Sequence, residues 1–180
     1  MGLNNNTNAS NALYILQGKI VKVATQKDSN LERNGKFYQA FDSLSGYLVG
    51  FAVVDGYKKG DKDVVLKVKD TLDETGYVLK FGLNSGNFTS FSRSIQNVDL
   101  LKEIELVPTY KEEDGKKQSS LLIKQEGEWI KRKYTNESMG KLPTAKSVVV
   151  NDKTVYDYSE QNKFLIEEIT AKFEAAKLPF

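Results

Sequence analysis

The sequence predicts a mainly β protein, an antiparallel Greek-key barrel with a short internal helix and a C-terminal amphipathic helix. Three observations carry that expectation. Apolar and polar residues alternate with strand periodicity through most of the region between residues 13 and 135. Pairs such as Asn34-Gly35, Asp114-Gly115 and Glu126-Gly127 punctuate these runs as tight turns. Helical spacing is confined to a short stretch near 87–96 and to the chain from 159 onward. Helices that fail to alternate with strands argue against a parallel α/β sheet. A helix between the third and fourth strands of a small barrel is the OB-fold order. The run holds more strand segments than that fold needs, so a jelly roll or another β-sandwich is the structural alternative.

The chain divides into an arm (1–12), a β domain (13–158) and a terminal helix with its tail (159–180). The arm, "MGLNNNTNAS" and two more residues, is rich in asparagine and poor in bulky apolar groups. It has neither the cationic region nor the apolar core of a secretory signal. "LYILQGKIVKVAT" then reads as one long strand, with Gly18 marking a bulge or barrel corner. "YLVGFAVV" is apolar on both faces and belongs in the middle of a sheet. In "VVLKVK", Val64, Leu66 and Val68 share a face; in "YVLKFGL", Tyr77, Leu79, Phe81 and Leu83 do.

The period then changes. Phe88, Phe91 and Ile95 fall on one face of a short helix, with Ser85 or Asn87 as its cap. From 103 to 135 strands return, and Pro108 marks an edge or an end. Residues 136–158 are loop-rich around the strand-like "SVVV". Finally Leu165, Ile169, Phe173 and Ala176 form an apolar helical stripe that starts at the cap residue Ser159.

Composition narrows the chemistry. The chain of 180 residues has no cysteine and no histidine, which excludes disulfides, thiolate nucleophiles, histidine general bases and zinc sites of the usual type. No spacing announces a carboxylate metal site, so neither catalytic residues nor a cofactor nor a metal is expected. No apolar run reaches membrane-span length. The net charge is only +2, but cations cluster locally. Residues 129–155 carry Lys131, Arg132, Lys133, Lys141, Lys146 and Lys153 against Glu137 and Asp152.

Aromatic rings beside cations suit single-stranded nucleic acid: the cations neutralise phosphates and the rings stack on bases of any identity. The best candidate is "GEWIKRKYT", with Trp129, Lys131, Arg132, Lys133 and Tyr134. On a continuous strand Trp129, Lys131 and Lys133 would share one face, and Ile130, Arg132 and Tyr134 the other. "DGYKKGDKD" adds Tyr57, Lys58 and Lys59 at a hairpin tip, and "KFYQ" adds Tyr38. Each tyrosine could equally cap a core with its hydroxyl in water.

Three stretches, "LYILQGKIVKV", "SIQNVDL" and "LLIKQEGEWIKRKYTNESMGKLP", give a layout that resembles the OB-fold single-stranded-DNA-binding proteins of tailed bacteriophages, of the crAss-like gut phage type. The resemblance implies a non-catalytic protein that coats single-stranded DNA, or RNA, during replication or recombination in the host cytoplasm, with self-association an option. The end "KLPF" looks like the Pro-Phe tip by which bacterial single-stranded-DNA-binding proteins recruit replication partners, which makes Pro179 and Phe180 partner-binding candidates. That tip normally follows an acidic tail; here it follows a helix and Lys177. The functional alternative is a virion or adhesion β-domain that binds protein or glycan.

Overall fold

The computed structural model describes residues 11–70, 75–151 and 153–176. Most of the expected arm and the Pro179-Phe180 tip lie outside the described residues. Asn11 and Ala12 are described, and they belong to the sheet: Val78 N–H donates to Asn11 O at 3.1 Å.

The strands are β1 (Ala12–Leu16), β2 (Lys19–Val23), β3 (Leu31–Arg33), β4 (Lys36–Phe41), β5 (Leu44–Asp55), β6 (Lys62–Lys69) and β7 (Gly76–Gly82). Helix α1 (Gly86–Ser94) follows and runs into a 3-10 turn, Ile95–Asn97. Next come β8 (Ile104–Glu113), β9 (Lys116–Gln125), β10 (Glu128–Trp129), β11 (Lys146–Val150), β12 (Lys153–Asp157) and α2 (Ser159–Ala176). Ten strands share one sheet in the order β10-β9-β8-β5-β6-β7-β1-β2-β4-β3, and β11-β12 is a separate hairpin.

The protein is therefore mainly β with two helices, as expected. The closed antiparallel barrel is not observed. The sheet is open, and β1 runs parallel to β7. The reason lies at two edges. The free edge of β7 is taken by β1, in register from Ala12 opposite Val78 to Tyr14 opposite Lys80. The outer edge of β9 is taken by β10 at Lys124 and Gln125 and, further along, by α1: Leu121 N–H donates to the Ser90 hydroxyl at 2.7 Å. A buried strand edge needs partners for its amides, and this side chain supplies one. Among the described residues no ladder joins β7 to β9.

The long first strand expected around Gly18 is a hairpin. Gln17 (φ 46°) and Gly18 (φ 75°) form a two-residue turn between β1 and β2. The same left-handed pairing recurs at Asn34-Gly35, Asp114-Gly115 and Glu126-Gly127. Gly18 also meets β8, where an added Cβ would lie 2.9 Å from Tyr110 N. The sheet thus curls until its first hairpin touches β8, without a ladder between β2 and β8.

β5 is central and serves two neighbours in turn. Leu44–Gly46 pair with β8, and Tyr47–Asp55 pair with β6. Gly46 sits at the change of partner with φ 151°, and a Cβ there would lie 2.4 Å from Lys69 O. Only the first part of β5 is deeply buried; Ala52, Val54 and Asp55 face solvent, so the expectation of burial on both faces fails for its second half. Pro108 follows the end of the β5–β8 ladder, where β8 keeps only β9 as a neighbour and a missing amide is tolerated.

The core joins Val64, Leu66 and Val68 of β6, Leu79 and Phe81 of β7, Phe88, Phe91 and Ile95, and Leu121 and Ile123 of β9. Ser85 caps α1, accepting from Phe88 N–H at 3.3 Å. Leu165 and Ile169 of α2 are buried, and Phe173 stacks on Phe51 of β5 with centroids 6.2 Å apart.

Gly46→Ala is expected to destabilise the protein by about 1–3 kcal/mol, through strain at a glycine-specific φ and a backbone clash. Gly76, with ordinary φ and open space around it, is the control, and its alanine variant should be neutral. Urea midpoints read the difference; equal midpoints would contradict the partner-switch account.

Candidate nucleic-acid interface

The basic run is built outward from the core. β10 pairs with β9 only at Glu128 and Trp129, after which Ile130 N–H donates to Ile123 O at 2.9 Å and the strand ends. The chain then crosses the last turn of α1. Asn97 Nδ2 donates to Lys131 O at 2.9 Å, and Lys133 N–H donates to Arg93 O at 2.6 Å. Because the strand ends at Trp129, the alternation expected through Tyr134 does not hold.

Trp129 faces solvent at 52% exposure, with Lys124 Nζ 4.5 Å from the centre of its ring. Lys131 and Arg132 are exposed and form no ion pair among the described residues. Lys133 is partly occupied, 3.6 Å from Glu168. Tyr134 is a correction: its ring is 4% exposed, inside the core, where no base can reach it. It packs edge-on against Phe164, with centroids 6.0 Å apart, and its hydroxyl donates to Glu168 at 2.5 Å. Tyr134 is the anchor of the basic run, not a stacking platform.

The charges follow this arrangement. Burial first, and the hydrogen bond to Glu168 second, push the Tyr134 phenol above the usual tyrosine value. Burial works against the Lys133 ammonium, but its bond to Tyr134 and the charge of Glu168 outweigh burial and raise it.

Arg132 also lines a shallow cleft of about 360 Å³ between α1 and β9, with Thr89, Lys117, Ser119 and Ser120. Lys117 and Lys124 are site residues that sequence reasoning missed. Lys117 lies near the start of β9, and Lys124 lies opposite Trp129 in the β9–β10 register; the signal for the second was the Glu126-Gly127 turn, which sets that pairing. The other candidates lie elsewhere. Tyr57, fully exposed at 102%, stands with Lys58 and Lys59 in the β5–β6 connection. Tyr38 is half-buried on β4, in an apolar groove with Tyr14, Val23 and Phe37, toward the opposite end of the strand order from β10. The structure therefore unites Trp129, Lys131, Arg132 and Lys133, and leaves Tyr38 and the Tyr57 turn apart from them.

Comparison with protein-family models, curated proteins and solved structures finds no match to this chain. Among the described residues no helix is long and apolar enough to cross a membrane, and no cluster of acidic side chains is placed to hold a metal ion.

A phenol whose folded pKa exceeds its unfolded value adds stability below the unfolded value, and that stability is lost as pH rises through the folded one. Tyr134→Phe should therefore cost about 1–2 kcal/mol near neutrality and weaken the fall in stability above about pH 10. Urea denaturation at both pH values checks this; identical alkaline losses in the two proteins would contradict the anchor.

Proposed function

We propose that this protein binds single-stranded nucleic acid, DNA in the first instance, without catalysing a reaction on it. The observation that carries the reading is the exposed Trp129 followed by Lys131 and Arg132, which form no ion pair among the described residues and are tied to α1 and its 3-10 extension by two hydrogen bonds. A ring that stacks on any base, beside cations that displace counterions from phosphates, binds strands with little sequence preference. Lys124 steadies the indole, while its own charge is engaged by Glu105 at 3.3 Å.

The connectivity supports the same reading. β5, β6 and β7 form a meander, α1 follows, and β8 returns to the first residues of β5 before pairing with β9. We read that order as an OB-fold opened between β7 and β9. On that reading the Tyr57–Lys59 turn and the Asp114-Gly115 turn would flank a further stretch of a groove, apart from the Trp129 run at the other end of β9. Coating of phage DNA in a host cytoplasm, during replication or recombination, is the biological setting that this reading proposes.

A protein-binding β-domain is the second reading. It is favoured by the β11-β12 hairpin, which exposes Val148, Val149 and Val155.

Titration with oligo(dT) should quench Trp129 fluorescence, and affinity should fall steeply with salt. Lys131→Gln with Arg132→Gln should lower the magnitude of the log–log salt slope by about 1.4, at about 0.7 per single-strand phosphate contact. Lys133→Gln should change it less, since Glu168 already occupies that charge. Salt-insensitive behaviour with no oligo(dT) binding at low salt would replace this reading with the second.

A further inference from the structure

A second cleft, about 530 Å³ in volume, opens on the other side of the α1 start. Arg93, Thr89 and Gly86 line one wall, and Tyr156 and Tyr158 line the other. Arg93 is nine-tenths buried, at 9% exposure, yet its Nε has no hydrogen-bond partner. Its only side-chain hydrogen bond among the described residues is a long one, 3.4 Å from Nη1 to Asn136 Oδ1. No carboxylate pairs with it among the described residues. Burial and the nearby charge of Arg132 both disfavour its charged form. A buried, unpaired guanidinium is costly, and an anion relieves that cost.

The surroundings favour an anion too. The first turn of α1, nine residues long, contains no acidic side chain. A helix start is positive; here the Ser85 cap takes the Phe88 amide, and Arg93, in the last turn of α1, lines the same cleft as Gly86 at its start. The one carboxylate on the cleft wall, Asp157, is engaged: it accepts from Ser159 N–H at 2.9 Å at the start of α2. Opposite Arg93, Tyr156 and Tyr158 are 55% and 48% exposed, with ring centroids 6.4 Å apart. Asn162 Nδ2 donates to Asn84 Oδ1 at 3.1 Å and ties α2 to the loop before α1.

We propose that this cleft is a nucleotide subsite, in which Arg93 and the start of α1 hold a phosphate while Tyr156 and Tyr158 stack on its base. It rests on the strand-binding reading and extends it: the strand would pass from Trp129 across Arg132 to this cleft. Arg132, Thr89 and Gly86 link the two, because Thr89 and Gly86 line both clefts. Nothing in the sequence pattern marks this subsite, since Arg93 sits on a core helix and the tyrosines lie 63 and 65 positions away in a loop-rich stretch.

The test uses the full chain and two probes, dTMP and oligo(dT). The paired variant Tyr156→Ala with Tyr158→Ala removes exposed rings and carries the test; Arg93→Gln accompanies it. The paired variant should bind oligo(dT) about tenfold to a hundredfold more weakly, as expected for lost base stacking, while Trp129 is still quenched at saturation. Both variants should lose dTMP binding. Oligo(dT) bound equally well by wild type and the paired variant would overturn the subsite and leave the strand-binding reading standing. Binding of dTMP that is lost in the variants, with no oligo(dT) binding, would support the subsite and remove the strand reading. Binding of neither probe by wild type would overturn both.

Discussion

The candidate interface hangs from one buried contact, the packing of α1 against β9. Phe88, Phe91 and Ile95 are fully buried on one face of the helix and its 3-10 extension, against Leu121 and Ile123 of the strand. Each fully buried side chain of this size contributes about 1.5–3 kcal/mol. The Ser90 hydroxyl adds direction by meeting the Leu121 amide. With α1 and β10 along the outer edge of β9 and β1 on the edge of β7, neither strand has an edge to offer the other, and the sheet stays open where a barrel would close. The helix thus helps to keep the sheet open and is the frame on which the basic surface is built.

From that frame the function-bearing groups are placed by short connections. The carbonyl of Arg93 accepts from the Lys133 amide, and the Asn97 side-chain amide donates to the Lys131 carbonyl. Tyr134 then drops into the core and reaches Glu168 on α2. A run of three cations on a free loop would lose conformational entropy on binding; a run fixed at both ends loses less. Lys131 and Arg132 point outward while Lys133 turns toward Glu168, so on the proposed reading two cations are open to a ligand and one serves the fold.

Much of the architecture was legible in the residues. Alternation named the buried faces of β6 and β7, and the i, i+3, i+7 spacing of Phe88, Phe91 and Ile95 named the helix. Glycine pairs named the hairpin turns. What was not legible depended on contacts between distant parts. Gly18 read as a bulge or barrel corner in one strand; the left-handed Gln17-Gly18 pair and the antiparallel pairing of β1 with β2 make it a hairpin turn instead. Tyr134 continued a strand pattern locally, but Phe164 and Glu168, thirty and thirty-four positions later, draw it inward. Trp129 was ambiguous for a different reason: its outward placement follows from its register opposite Lys124, on the face of β9 away from the buried Leu121 and Ile123. Arg93 read as part of a helix whose other residues are core, so its missing partner was invisible until the fold was known.

The central claim is that the surface carried by α1 and the 129–133 run is where a strand lies. Amide hydrogen exchange of the full chain, with and without saturating oligo(dT), tests it directly. Slower exchange in segments spanning 86–94 and 129–134, with the β3–β4 hairpin unchanged, is the predicted result. Protection confined to the β3–β4 hairpin, with no change along α1 or the basic run, would contradict it.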